Sequence, residues 1–398
     1  MVYQFLIILS KEILKILEWK RKMINSNVRE LFPHLKTGQI YFNHAAIGPW
    51  CSLVLDRISE YMKDRSGERV ENYSSFLNWS SGAKEKLSLI IGSETDRIAW
   101  IDNVSNGLNI LASGLNWKTG DRVVINDIEF PSNVYPFLNL KQSGVEIDII
   151  KSKNGIVDTD EIIRAVTPRT RIISISLVQF LSGYRTDIEL LGDFCRSRGI
   201  IFSVDAIQAT GVVGIDVIKS KVDFLCGGTQ KWLMASQGLS YLYVTEELQE
   251  RITQSSVGWT SVENAWNLLD YDLKLKKTAE RFQNGTVNAL GVAVFDAVLE
   301  LFTGTGMKNI ESAVLSNTKY FFKKLEEIGI DPFLKDVDEK NLAGIVTFRH
   351  PDANRIYEEL LKRKIFGAVR EGMIRFSPHF YNTSDEIDRV VDELRKIE

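Results

Sequence analysis

From residue 97 onward the chain alternates short β-rich runs with helical patterns, and no other feature restricts its fold as much. The runs lie at 97–101, 123–125, 145–150, 172–176, 200–204, 222–225 and 239–244. Strands joined through helices lie parallel, because a crossover of that length returns the chain to the same end of the sheet. The pattern therefore predicts an α/β fold built on a seven-stranded, mainly parallel sheet. One crossover helix is signposted. Thr186-Asp187-Ile188-Glu189 reads as a capping box, Leu190, Leu191 and Phe194 form an apolar stripe, and Gly199 closes the helix. The strand after it then runs toward Asp205.

With 398 residues the chain exceeds the ~250 to 300 at which a single core stops growing, so two lobes are expected. After Gly285 the pattern changes to a long helix over 289–301, another from about 309 to 328, and strands near 343–349 and 373–377. This divides the chain into an N-terminal arm (1–35), a large domain (36–285) and a smaller C-terminal α+β domain (286–398). In the arm, Ile7, Ile8, Ile13, Leu14 and Leu17 fall at helical spacing. They predict an amphipathic helix on the body or a partner subunit, or else an extension upstream of the true start.

Several function classes drop out. The 49 Lys+Arg and 52 Asp+Glu balance to a net charge of −3, and no basic block is present to neutralise phosphates, so no nucleic-acid partner is expected. The apolar stretch Phe5-Leu6-Ile7-Ile8-Leu9 is followed at once by Ser10, Lys11 and Glu12, so no membrane anchor is expected. Cys51, Cys195 and Cys226 are odd in number and far apart, which argues against disulfides and for a cytoplasmic setting. Four histidines, His34, His44, His350 and His379, leave most of the α/β region with none. A Ser-His-Asp hydrolase is disfavoured, and no metal site is expected.

Two segments at the carboxyl ends of adjacent expected strands remain: Ser203-Val204-Asp205-Ala206-Ile207-Gln208 and Gly227-Gly228-Thr229-Gln230-Lys231-Trp232. Open α/β sheets place their sites at such ends. A carboxylate closing an apolar strand must reach solvent or meet a cation, for example a protonated pyridine nitrogen. A lysine after two glycines can be desolvated and its amine made nucleophilic. Separately these are a helix-capping aspartate and a surface lysine; together they fit pyridoxal 5′-phosphate (PLP) chemistry.

From about residue 40 to 395 the chain resembles the class V aminotransferases of PLP fold type I, the family of cysteine desulfurases, kynureninases and isopenicillin N epimerase-like proteins. The resemblance rests on Tyr41-Phe42-Asn43-His44-Ala45-Ala46-Ile47-Gly48-Pro49, Asn103-Val104-Ser105-Asn106-Gly107, Glu129-Phe130-Pro131-Ser132-Asn133, the Asp205/Gln208 pair, Lys231, Arg281-Phe282-Gln283-Asn284-Gly285-Thr286, and Arg375-Phe376-Ser377-Pro378-His379-Phe380-Tyr381-Asn382-Thr383. It implies a Schiff base on Lys231 and Asp205 paired with the pyridine nitrogen. The phosphate would lie at the helix opened by Val104, Ser105 and Asn106. Phe130 would stack on the ring, Gln208 would donate to the 3-oxygen, and Gln230 would contact the phosphate. Thr286 would reach the phosphate of a neighbouring subunit, making a homodimer with shared sites. Asn43 and Ala46 would lie on the substrate side, with Arg375 taking the α-carboxylate.

Two departures matter. Residues 355–374 contain no cysteine, where desulfurases carry their nucleophile, so persulfide chemistry is disfavoured. In Val178-Gln179-Phe180-Leu181, either Gln179 or Phe180 stands where many relatives have a cofactor-contacting asparagine. The expected activity is transamination of an amino acid. The alternatives are a PLP lyase (a cysteine or cystine C–S lyase, or a kynureninase-like enzyme), an epimerase, and a non-catalytic relative.

Overall fold

The computed structural model describes residues 28–397, so the apolar stripe of the expected arm lies outside the described residues. After β1 (Ile40–Tyr41), helices α1 (Ser52–Lys63) and α2 (Tyr73–Ile91) lead to the main sheet. Its strands are β2 (Ile98–Ile101), β3 (Arg122–Asn126), β4 (Glu146–Ile150), β5 (Thr170–Ser176), β6 (Ile201–Asp205), β7 (Phe224–Gly228) and β8 (Ser240–Val244). Each of the seven apolar runs is one of them. The order is β2-β8-β7-β6-β5-β3-β4. Strands β3 to β7 pair in parallel, and β8 is antiparallel to both neighbours. Residues 229–239 join β7 to β8 with no crossover helix, so β8 returns antiparallel. That return leaves Lys231 at the carboxyl ends of the parallel strands.

The sheet is buried on both faces, which is why its runs are apolar rather than alternating. On β2, Ile98 and Trp100 enter one hydrophobic cluster and Ala99 and Ile101 the other. On β6, Phe202 and Val204 oppose Ile201 in the same way. Helix α3 (Val104–Gly114) follows β2, and α4 (Ile188–Arg198) precedes β6. Gly199, at φ 67°, ends α4, but the expected capping box is absent. Asp187 is the N-cap and accepts from the Leu190 N–H. Thr186 is buried and donates instead to the Ser176 carbonyl at 3.3 Å, while Glu189 reaches Lys219 at 2.8 Å.

The C-terminal part comprises α5 (Ala289–Thr305), α6 (Met307–Glu326), β9 (Val346–Arg349), α7 (Ala353–Lys362), β10 (Ile365–Phe366), β11 (Ala368–Arg370), β12 (Met373–Phe376) and α8 (Ser384–Ile397). Strands β11-β12-β9 form an antiparallel sheet, and β1 pairs in parallel with β10. Helix α5 packs on α1 and α2, where its Asp296 meets Arg57 at 3.0 Å and Lys86 at 2.6 Å. Packing thus crosses the expected boundary at 285/286 in both directions: α5 joins the large unit, and β1 joins the small one. Among the described residues, no single helix is long and apolar enough to cross a membrane.

Candidate active site

A cavity of about 250 Å³ opens at the carboxyl ends of β6 and β7. Six of the residues singled out in the sequence line it: Val104, Ser105, Phe130, Asp205, Gln230 and Lys231. Asp205 closes β6 and is 1% exposed. Its Oδ1 accepts the Ile207 N–H at 2.9 Å, and its Oδ2 has no partner. Burial pushes this carboxyl up to about 7, a rise the Ile207 N–H opposes and the Glu129 carboxylate increases. Burial likewise lowers Lys231 to about 8; Asp205 opposes the shift, and Arg375 and Arg370 add to it. The Lys231 Nζ lies 5.3 Å from the centre of the Phe130 ring.

The turn over 43–48 is fixed against this lysine. Gly48 donates its N–H to the Gln230 carbonyl at 2.8 Å, and a Cβ at Gly48 would stand 2.2 Å from the Lys231 carbonyl oxygen. Only glycine permits that approach. Asn43 accepts the Ala46 N–H at 3.0 Å on its backbone carbonyl, and its buried Oδ1 has no partner.

Asn103 caps α3, taking the Asn106 N–H at 2.9 Å. The Val104 and Ser105 N–H groups are left as helix-end donors at the cavity. Ser105 donates its hydroxyl to Ser132 Oγ at 2.9 Å. Asn106 is placed differently from expectation: its amide is spent on Asp102, at 2.8 and 2.7 Å, and it lies outside the lining. Gln208, expected to donate to the 3-oxygen, is buried and joins two distant segments. Its amide donates to the Ala45 carbonyl at 3.0 Å, its oxygen accepts from Trp232 Nε1 at 2.7 Å, and it ties the N-terminal turn to the lysine segment. Thr286 is exposed and lines a separate cavity of about 410 Å³. It is not brought to Lys231 within this chain.

Arg375 on β12 is 2% exposed, and no carboxylate pairs with it among the described residues. Its Nη1 donates to the Phe180 carbonyl at 2.6 Å, and its Nε has no partner. Burial, and secondarily the charge of Arg370, lower it to about 9. A buried guanidinium left in this state calls for an anion. The choice between Gln179 and Phe180 resolves into two tasks. Phe180 meets the Phe130 ring edge-on at 5.3 Å, while Gln179 is buried and donates to Glu129 at 2.9 Å.

Sequence reasoning placed Glu129 in a motif but gave it no role. Its buried carboxylate accepts from Asn126, Asn133 (3.0 Å), the Ser176 N–H (2.8 Å), the Ser176 hydroxyl (2.5 Å) and Gln179. This network fastens the Phe130 loop to the end of β5. The trace of Glu129 in the sequence is its place at the head of the Glu129-Phe130-Pro131-Ser132-Asn133 motif. His44 and His379 belong to two of the motifs quoted above but carry no expected role. They are buried behind the lysine segment, where His379 Nε2 lies 3.0 Å from the Trp232 carbonyl and burial lowers both imidazoles.

The orphaned groups match PLP in kind: Asp205 Oδ2 for a protonated ring nitrogen, the α3 N-terminus and Ser105 for a phosphate, and the Lys231 amine for an aldehyde carbon. The model of the family "Aminotransferase class-V" matches residues 40–390. The "Uncharacterized aminotransferase YcbU" of Bacillus subtilis (strain 168) is 27% identical over 92% of this chain and 96% of its own length. A "Probable cysteine desulfurase" of Methanothermobacter thermautotrophicus is 27% identical over 94% of this chain and 98% of its own. Among solved structures, the cystine C–S lyase C-DES in complex with cysteine persulfide superposes with a TM-score of 0.83 at 20% identity, covering 92% of this chain and 99% of that one. The fold and the site define a PLP-dependent enzyme of fold type I. The chain belongs to the class V aminotransferase family.

Proposed function

We propose that this enzyme binds the α-carboxylate of an amino acid on Arg375 and moves a proton at its Cα with Lys231, the outcome being transfer of the amino group. The observation that carries this reading is the pair of buried, unpartnered polar groups, Asp205 Oδ2 and Arg375 Nε, facing a lysine whose amine burial lowers to about 8. When bound, PLP supplies an aldehyde carbon for amines and an electron-poor ring that stabilises negative charge at Cα. Asp205 would hold the proton on the ring nitrogen, and Phe130 would lie against the ring and exclude water. The Lys231 amine, which burial lowers to about 8, would take the Cα proton and return it, its own deprotonation being easier near neutral pH than that of an ordinary lysine. Arg375 aligns the substrate through the fork of its guanidinium.

Cleavage of a C–S bond is the second reading, favoured by the names of the desulfurase and lyase relatives. Those names weigh against the expectation that no persulfide forms on the protein. That expectation rests on the thiols themselves: Cys51, Cys195 and Cys226 are unpaired and buried, and burial raises all three, Cys195 to about 12. A thiolate nucleophile is thereby disfavoured. On either reading the proposed enzyme is a homodimer sharing Thr286 between sites, as the family resemblance implies, in a reducing, cytoplasmic setting that the unpaired cysteines favour.

Single-turnover incubation with each amino acid separates the outcomes. Pyridoxamine phosphate with an oxo acid identifies amino-group transfer, and a released β-substituent with unchanged cofactor identifies a lyase. A protein-bound persulfide formed from cysteine supports C–S cleavage and overturns both amino-group transfer and the expectation that no thiol of this chain accepts sulfur.

A further inference from the structure

We propose that Arg370 is a second anion-binding group beside Arg375 and that the substrate is a dicarboxylic amino acid, its side-chain carboxylate held by Arg370. This rests on the reading that Arg375 takes the α-carboxylate. The register of the β11/β12 hairpin places Arg370 opposite Met373 and Ala368 opposite Arg375. Side chains two apart on a strand share a face, and so do directly opposed ones. Arg370 and Arg375 are therefore diagonal neighbours on one face, with backbones roughly 7 to 8 Å apart. The turn between them is set by Glu371 and Gly372 at φ 49° and 72°, a two-residue connection with little freedom to slip.

Charge points the same way. Arg370 is exposed, and its Nη1 donates at 2.8 Å only to the carbonyl of its own neighbour Val369. No carboxylate pairs with it among the described residues. Arg363, at the end of the adjacent helix α7, by contrast takes both Glu359 and Glu393 at 2.8 Å. The Arg370 charge is felt at both Lys231 and Arg375. Lys231 and Arg375 thus share a positively charged surrounding with Arg370, and among the described residues the one buried carboxylate oxygen without a partner is Asp205 Oδ2. One α-carboxylate satisfies the free edge of Arg375 and leaves Arg370 unmatched. A second carboxylate on the same molecule, one or two methylenes from Cα, is within reach of its long side chain.

The test is titration of the holoenzyme, read by the absorbance of the bound cofactor, with L-aspartate, L-asparagine, L-glutamate and L-glutamine. One acid is expected to bind about tenfold more tightly than its amide, the value of one charge-assisted hydrogen bond. Arg370→Gln brings that ratio close to one, and Arg370→Lys keeps part of it. A wild-type ratio near one, or a ratio unchanged in Arg370→Gln, overturns the proposal. Calorimetry with glutarate and butyrate provides a parallel arm. If no amino acid alters the absorbance, the proposed reaction fails, yet a glutarate preference lost in Arg370→Gln still supports the second anion site. Equal binding of glutarate and butyrate refutes it.

Discussion

Replacing Asp205 with Asn should stabilise the cofactor-free protein while damaging the holoenzyme. The isosteric amide keeps an oxygen for the Ile207 N–H and removes a charge that is 1% exposed. Burial raises the carboxyl from 3.8 to about 7. Each pH unit of displacement is worth ~1.36 kcal/mol, so keeping Asp205 ionised at pH 8 costs the folded state on the order of 4 kcal/mol. The sign follows from the direction of the shift. Below pH 3.8 both states hold the proton and the cost vanishes; it grows as the pH rises and levels off above about 7. Asn carries no charge at any pH, so its advantage over Asp should grow by roughly 2 kcal/mol between pH 5.5 and pH 8. Part of this is offset because the neutral side chain no longer favours the Lys231 ammonium. A net gain of about 1 to 3 kcal/mol at pH 8 remains, within the range measured for buried charges. Urea unfolding of the cofactor-free proteins at the two pH values reads the difference directly. An Asn variant less stable than wild type at pH 8, or a gain that does not depend on pH, would refute the account of Asp205 as an uncompensated buried acid. In the holoenzyme the effect reverses, since the ring nitrogen loses its partner. Turnover within about tenfold of wild type, ~1.4 kcal/mol, would remove Asp205 from that role.

Lys231→Ala should abolish the borohydride-trapped link between cofactor and chain while leaving the fold intact. In the wild type the rate of cofactor capture should rise as pH passes through about 8, where the amine loses its proton; a label on another lysine, or an inflection near 10.5, counts against the assignment. Arg375→Lys removes the planar fork and should weaken amino acid binding by about 1.5 to 3 kcal/mol, tenfold or more, in absorbance titrations; an unchanged affinity would place the carboxylate elsewhere. Mixing Lys231→Ala subunits with subunits altered at Thr286 should restore activity if each site draws on two chains; demonstrated subunit exchange without recovery refutes the shared site.

The periodicity of apolar runs and the punctuation by Gly199 and Asp205 are local signals, and they carried the seven strands, the site's position at their carboxyl ends, and the Lys231/Asp205 pair. Strand burial on both faces leaves a continuous apolar imprint, and a charged residue at the end of such a strand stands out against it. The roles of Gln208 and Glu129 left no such imprint. A buried amide or carboxylate is defined by the partners that satisfy it, and those partners come from distant segments: Ala45 and Trp232 for Gln208, Ser176 and Gln179 for Glu129. The direction of β8 and the exchange of β1 and α5 across the expected boundary are likewise settled by long-range pairing, because a helix or strand of given pattern can bury its apolar face against either unit. Sequence by itself determined which elements form and which residues bring reactive groups to the sheet's end. Tertiary structure decided which of those groups remain unpartnered, because hydrogen bonds between segments far apart in the chain engage Gln208 and Glu129 and leave Asp205 Oδ2 and Arg375 Nε without a partner.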